Sequence, residues 1–247
     1  MQTLQSIFTL RSATGKQLVL AVLLCFIAGY LDGFGLIVLG TFISFMSGNT
    51  TQTGASVGQG KLQAAFPTAI AILFFVIGTI AGTLVMRSGW RQAHRIGYAL
   101  IGALLAVVFA MQWHTAQFVH PYLAIALLSL GTGMINPAVS RAGAESIGLT
   151  FVTGTLNRMG GHLAAAMRRE PLADAKSPSD SHLARARVDL FIWFSFISGA
   201  IVAALGVPRL GHLILLPPTA AMIALALFAK SDPLPAQNSR GAAPRVS

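Results

Sequence analysis

Acidic residues are scarce in this chain, with 7 Asp and Glu among 247 residues against 17 Lys and Arg. A single cysteine, Cys25, rules out an internal disulfide. No His and Cys cluster has metal-ligand spacing, and there is no phosphate loop and no nucleophile elbow. His162, in "GHLAAAMRRE", lacks the second histidine at helical spacing that a zinc protease needs. An enzyme is therefore not expected, and neither a cofactor nor a metal is implied. Charge is sparse too: 10% of residues are charged and 54% are hydrophobic, with a mean hydropathy of +0.70. That balance is too apolar for a soluble domain and indicates a membrane protein.

Apolar segments run from Gln17 to Gly40, Phe66 to Met86, Ile96 to Trp113, Pro121 to Val139, Val188 to Val207 and Leu210 to Ala229. Each is roughly 18 to 24 residues, enough to cross about 30 Å of hydrocarbon as a helix. The expected fold class is an all-α polytopic membrane bundle with six transmembrane helices, in one integral membrane domain covering residues 1–247. A signal peptide fits the first segment poorly, because the apolar run outlasts an h-region and no small-x-small cleavage site follows. Cys25 follows Leu24 rather than a small residue, which argues against a lipoprotein.

The net charge of +10 is explained by where the basic residues lie. With a cytoplasmic N-terminus and six spans, only Lys61 and Arg209 of the 17 fall outside, an arrangement that obeys the positive-inside rule. The basic residues then serve orientation and contact with anionic lipid, and no nucleic-acid partner is expected. Eight spans, with the stretches around Gly48 and Gly154 crossing as well, is the weaker alternative. It would place Arg87, Arg91, Arg95, Arg141 and Arg209 outside and bury Arg158 within a span.

The stretch "SFMSGNTTQTG" from Ser44 has a partner at Thr150, "TFVTGTLNRMG". Upstream of each stands another match, "GYLDGFG" at Gly29 and "GMINPAV" at Gly133, which pairs Asp32 with Asn136. The unit holds three spans and a polar glycine-rich break. An odd number of crossings makes the two copies, about 17–113 and 121–229, an inverted 3+3 repeat. Short broken or re-entrant helices are expected at Ser47 to Gly58 and Thr153 to Met167, where hydroxyl and amide groups can satisfy open backbone bonds at membrane depth. The competing reading is an extramembrane loop and a packed helix, with Gly54 and Gly58 as a small-xxx-small contact.

"AGYLDGFGLIVLGTFISFMSGNTTQTG", together with "TFVTGTLNRMGG", resembles the YoaK family of bacterial membrane proteins, domain of unknown function 1275. The resemblance runs from about Leu18 to about Ala229. It implies a bacterial multi-pass membrane protein and supplies no substrate.

Asp32 is the acid inside an apolar span; Glu145, Glu170, Asp174, Asp180, Asp189 and Asp232 read as loop or span-end residues. A carboxylate at membrane depth is costly, so Asp32 is either a proton or cation site or a cap on a break between Tyr30 and Gly35. Ser47, Gly48, Asn49 and Thr50 from one break, and Thr153, Gly154, Thr155, Asn157 and Arg158 from the other, complete a candidate solute or ion site with Asp32 and Asn136. Arg158 and His162 share a helix face, and Arg158 could hold an anionic solute, pair with Asp32 or reach lipid phosphate. Asn136, Pro137 and Ala138 match the aquaporin tripeptide, but the other copy reads Asp32, Gly33, Phe34. Asn49, Thr50, Thr51 fits a glycosylation sequon that has no role in a bacterial protein.

The expected function is secondary transport of a small solute, with a proton as a candidate coupling ion. A channel and a non-transporting scaffold or regulatory protein are the alternatives. The expected location is the bacterial inner membrane, with both termini cytoplasmic, the bilayer as partner and a homo-oligomer open. Residues 170–187 read as a mobile cytoplasmic loop and 231–247 as a disordered tail.

Overall fold

A computed structural model describes residues 13–112, 120–140, 152–175 and 180–229. Among them there is no strand. The order is α1 (Ala13–Phe34), a π-helical turn (Gly35–Leu39), α2 (Met46–Gly58), α3 (Leu62–Arg87), α4 (Ala93–Gln112) and α5 (Pro121–Ser140). Then follow α6 (Val152–Met167), α7 (His182–Leu210), a 3-10 turn (Gly211–Leu215) and α8 (Leu216–Phe228). Among the described residues, four helical stretches are long and apolar enough to cross a bilayer: Leu18–Leu39, Leu62–Arg87, Ala93–Gln112 and His182–Phe228.

Two tight helix crossings organise the bundle. Glycines remove the side chain at each, so that backbone meets backbone and dispersion contacts replace the missing hydrophobic drive. Gly29 of α1 lies against the Phe196 carbonyl of α7, and Gly199 of α7 against the Phe26 carbonyl of α1. Gly33 faces Ala200 one turn on, so α1 and α7 run parallel. In the same way Gly133 of α5 lies against the Phe75 carbonyl of α3, Gly78 against the Leu130 carbonyl, and Gly82 against Met134; α3 and α5 also run parallel. α1 is central, and its Leu24, Leu31 and Phe34 are fully buried in one core with Ile101, Leu105, Leu128 and Ile135.

The two short helices lie where the sequence places its breaks, each starting one residue earlier than expected. α2 packs along α3 and α6 along α7, both antiparallel, to give two hairpins. α2 has 13 residues and is about 20 Å long, well short of the hydrocarbon thickness.

Three expectations need correction. The span assigned from Val188 begins at His182, so Asp189 lies inside a helix and is buried, rather than at a span end. That helix continues to Leu210, where a span was expected to begin; the chain turns at Gly211, held by the Tyr30 hydroxyl donating to the Ile214 carbonyl at 2.6 Å, and α8 has only 13 residues. The 170–187 segment is not all loop. It is helical from His182, and Arg185 ties the helix start to Asp174 and Asp180, each at 3.0 Å. The tail from 230 lies outside the described residues.

Candidate functional site around Asp32

α1 does not break at Asp32. It stays helical through Phe34, widens into the π turn and stops at Gly40, whose φ of 70° is the left-handed conformation that glycine adopts without penalty. The chain then folds back against the helix it has just left. Gly35 permits this return, since a Cβ there would come within 2.8 Å of the Thr41 carbonyl oxygen.

Two buried side chains hold the returning loop. Asp32 is 4% exposed; its Oδ1 accepts from the backbone N–H of Ile43 at 2.7 Å and of Ser44 at 2.6 Å, and its Oδ2 from the Ser44 hydroxyl at 2.8 Å. The carboxylate therefore does cap, but eleven residues downstream of itself rather than between Tyr30 and Gly35. Asn49, fully buried on α2, works from the other side. Its Oδ1 accepts from the Thr41 hydroxyl at 3.1 Å and the Phe42 N–H at 3.2 Å, while its Nδ2 donates to the Phe42 carbonyl at 2.8 Å. Thr132 of α5 donates to the Ile43 carbonyl at 2.9 Å. A non-helical segment at this depth is tolerable because its polar groups are satisfied by protein.

Beside Asp32 is a cavity of about 240 Å³ lined by Gly33, Leu36, Phe42, Phe45, Phe196, Ala200 and Val152. Phe42 and Phe45 form one wall, edge to face with ring centres 5.2 Å apart. Phe45 is the residue before α2, and Val152 is the first of α6, so the N-terminal ends of both short helices converge here. A second cavity of about 210 Å³, between α1, α7 and α8, is lined by apolar side chains and by Tyr30, whose hydroxyl is already engaged.

The second hairpin carries its own charged contact. Arg158 donates from one terminal nitrogen to Asp189 at 3.0 Å and to the Thr155 hydroxyl at 3.2 Å. One turn on, His162 and His182 meet with their Nδ1 atoms 3.0 Å apart. The corresponding contact of the first hairpin is neutral: the Thr53 and Thr68 hydroxyls lie 2.6 Å apart.

Residues 20–228 match the family model described as "Protein of unknown function (DUF1275)". The chain belongs to the DUF1275 family. Among the relatives of this DUF1275 member is the UPF0700 transmembrane protein RA0705 of Rhizobium meliloti (strain 1021). It is 30% identical over 226 residues, which is 90% of this chain and 89% of the relative. Another is the UPF0700 transmembrane protein YoaK of Bacillus subtilis (strain 168), 26% identical over 213 residues, 84% of this chain and 92% of the relative. No solved structure is a significant match. The DUF1275 chain is thus a multi-pass membrane protein.

The expected site residues of this DUF1275 chain do not all meet. Asp32 lines the cavity, and Asn49 shapes its wall from behind. Thr153 and Gly154 follow Val152 on α6, but Thr153 and Asn157 are exposed, as are Ser47 and Thr50 on α2; Gly48 and Asn136 are half-buried. The hydroxyls of α2 do not cap its start, where Phe45 occupies the cap position; Thr50 and Thr51 instead donate to the carbonyls of Met46 and Ser47 in their own helix. Gly54 and Gly58 make no small-xxx-small contact among the described residues, since a Cβ at either would meet open space there. Arg158 pairs with Asp189, not with Asp32. Asp189, Phe42, Phe45, Phe196 and Thr132 were missed. For Asp189 a signal existed: His182, Ala186 and Asp189 fall at i, i+4 and i+7 on one helix face.

Proposed function

We propose that the protein is a secondary transporter of a small solute with a largely apolar body, coupled to protons through Asp32. It has six spans in an inverted 3+3 repeat, lies in a bacterial inner membrane with both termini cytoplasmic, and has no enzymatic activity. The observation that carries this reading is the cavity where the ends of two short, polar helices converge beside a buried carboxylate. Discontinuous helices meeting at membrane depth are the usual construction of carrier sites.

The repeat is supported residue by residue. A shift of 104 takes Gly29 to Gly133 and Phe26 to Leu130, and a shift of 121 takes Phe75 to Phe196 and Gly78 to Gly199; the two tightest glycine–carbonyl contacts of one crossing thereby become those of the other. The same shift of 121 takes Gly102 of α4 to Ile223 of α8, and these two residues touch each other. α4 and α8 run antiparallel, since Arg95, nearer the start of α4, donates to the Ala226 carbonyl near the end of α8. Two equivalent helices in antiparallel contact are related by an axis perpendicular to both. In a bilayer that axis lies in the membrane plane, which is the geometry of an inverted repeat.

The mechanism follows from what Asp32 holds. As a carboxylate it accepts three hydrogen bonds from Ile43 and Ser44 and fixes Phe42 and Phe45 as the cavity wall. A proton on Asp32 removes acceptor capacity, frees the loop and opens the wall, so solute release and proton transfer share one element. The test is gradient-driven uptake from a mixed metabolite pool by purified protein in liposomes. Uptake should require the proton gradient, and Asp32→Asn should abolish accumulation while solute exchange persists. Retention no higher than in protein-free liposomes sinks the transporter, and accumulation unchanged by Asp32→Asn sinks the coupling.

A further inference from the structure

At the loop end of the α6–α7 hairpin, two imidazoles from different helices are aimed at each other. His162, one turn beyond Arg158 on α6, and His182, the first residue of α7, have Nδ1 atoms 3.0 Å apart and ring centres 5.2 Å apart. Both residues are half-buried, so solvent reaches the pair. As neutral rings they share one N–H···N hydrogen bond, in which one Nδ1 carries the proton and the other offers its lone pair. A divalent ion fits the same two atoms. A tetrahedral ion with two nitrogens at about 2.05 Å each holds them about 3.3 Å apart. The observed spacing is close to that of a two-imidazole chelate, and two packed helices hold it there.

We propose that His162 and His182 form a binding site for a divalent transition-metal ion, which bridges α6 to α7 at their loop ends. Two neutral imidazoles select ions such as Zn²⁺, Ni²⁺ or Cu²⁺ over Mg²⁺ and Ca²⁺, which take oxygen ligands. Water fills the remaining positions: among the described residues no third His, Cys, Asp or Glu joins the pair. The carboxylates of this hairpin are engaged elsewhere, Asp189 by Arg158, Asp174 and Asp180 by Arg185, and Glu170 by Arg168. The same ion pairs compensate Arg158 and Arg185, the arginines that flank the histidines on their two helices. On binding, the ring protonated at Nδ1 exchanges to its Nε2–H form through water, so both Nδ1 lone pairs face the ion and a neutral pair loses no proton. The consequence is mechanical. α6 has 16 residues and is tied to α7 by the Arg158–Asp189 pair; a bound ion adds a second tie between the same helices and holds the hairpin closed.

Full-length protein, purified without a histidine tag and stripped of metal with a chelator, provides the test. Zn²⁺ and Ni²⁺ should raise its melting temperature saturably, while Mg²⁺ and Ca²⁺ at the same concentration leave it unchanged. Affinity measured by competition with a metallochromic chelator should fall about tenfold or more in His162→Gln and in His182→Gln, since even the outer-shell partners of a metal are worth that much. The double variant should behave like either single, because the two rings act as one site. Absence of any Zn²⁺ or Ni²⁺ response in the wild type, an equal response to Mg²⁺, or a response that survives in the double variant would overturn the proposal. So would losses in the single variants that simply add. If a variant does not fold, the wild type decides alone: bound Cu²⁺ should show two imidazole nitrogens in its electron paramagnetic resonance spectrum, and one or none contradicts a bridging site. Metal binding needs neither solute nor gradient, so its outcome is independent of the transporter reading.

Discussion

In the α2–α3 hairpin Thr53 meets Thr68, hydroxyl to hydroxyl at 2.6 Å, while in the α6–α7 hairpin Arg158 meets Asp189 at 3.0 Å. The flanking architecture is otherwise alike: a short helix with an exposed small and hydroxyl-bearing face, packed antiparallel on a long helix that crosses its neighbour through glycine. The difference teaches that helix crossing and hairpin closure are separable in this fold. Glycine-to-carbonyl contacts set both crossings, α1 with α7 and α3 with α5, while the two hairpins packed on those long helices are closed by different chemistry.

The largest effect should come from Asp32→Leu. It strands two buried backbone N–H groups and the Ser44 hydroxyl, at ~1–3 kcal/mol for each unsatisfied group. A loss of about 4 kcal/mol in a reversible unfolding assay is expected; a loss under about 1 kcal/mol would mean that the loop is not held by Asp32. Next comes Arg158→Leu, which leaves Asp189 without its cation. Arg158 is 34% exposed, so about 2 kcal/mol is expected rather than the ~3–5 kcal/mol of a fully buried pair. The double change Arg158→Leu with Asp189→Leu should recover most of it. If the double variant is as damaged as the sum of the two singles, the pair is not a unit.

Thr53→Val or Thr68→Val should cost only about 1 kcal/mol, the worth of one neutral hydrogen bond. A cost equal to that of Arg158→Leu would erase the contrast between the hairpins. Smaller still is the pH response of Asp174. The Arg185 guanidinium hydrogen-bonded to it holds its carboxyl below the usual carboxylate range. Its contribution is therefore present above the ordinary carboxylate pKa of about 3.9 and fades as pH falls through the lower folded value. Because Asp174 is exposed, Asp174→Asn should be indistinguishable from wild type in melting temperature at neutral pH.

The all-helical frame was legible in the sequence because the length and apolar composition of the helices are local signals that survive without tertiary information. Both short helices start within one residue of the expected positions for the same reason: the Ser, Thr, Asn and Gly content of "SFMSGNTTQTG" and "TFVTGTLNRMG" is visible in one dimension. The site was half legible. Asp32 stands out as an acid in oil, but its partners Ile43 and Ser44 follow a chain reversal that only the left-handed Gly40 and the space at Gly35 permit. Asp189 escaped because an acid beside a hydrophobic segment reads as its boundary; it is identified as interior only once the helix is seen to begin at His182. Exposure of Ser47, Thr50, Thr153 and Asn157 could not be foreseen, since a polar residue at membrane depth is expected to turn inward.

Sidedness of the two hairpins tests the account most directly. With Cys25→Ala as background, single cysteines at Gly60, in the turn between α2 and α3, and at Asp174, in the connection between α6 and α7, would be labelled in intact cells by a membrane-impermeant maleimide. Six spans in an inverted repeat predict that Gly60→Cys reacts from outside and Asp174→Cys only after the membrane is opened. Eight spans would put both on the cytoplasmic side, and finding the two cysteines on the same side would contradict the inverted repeat.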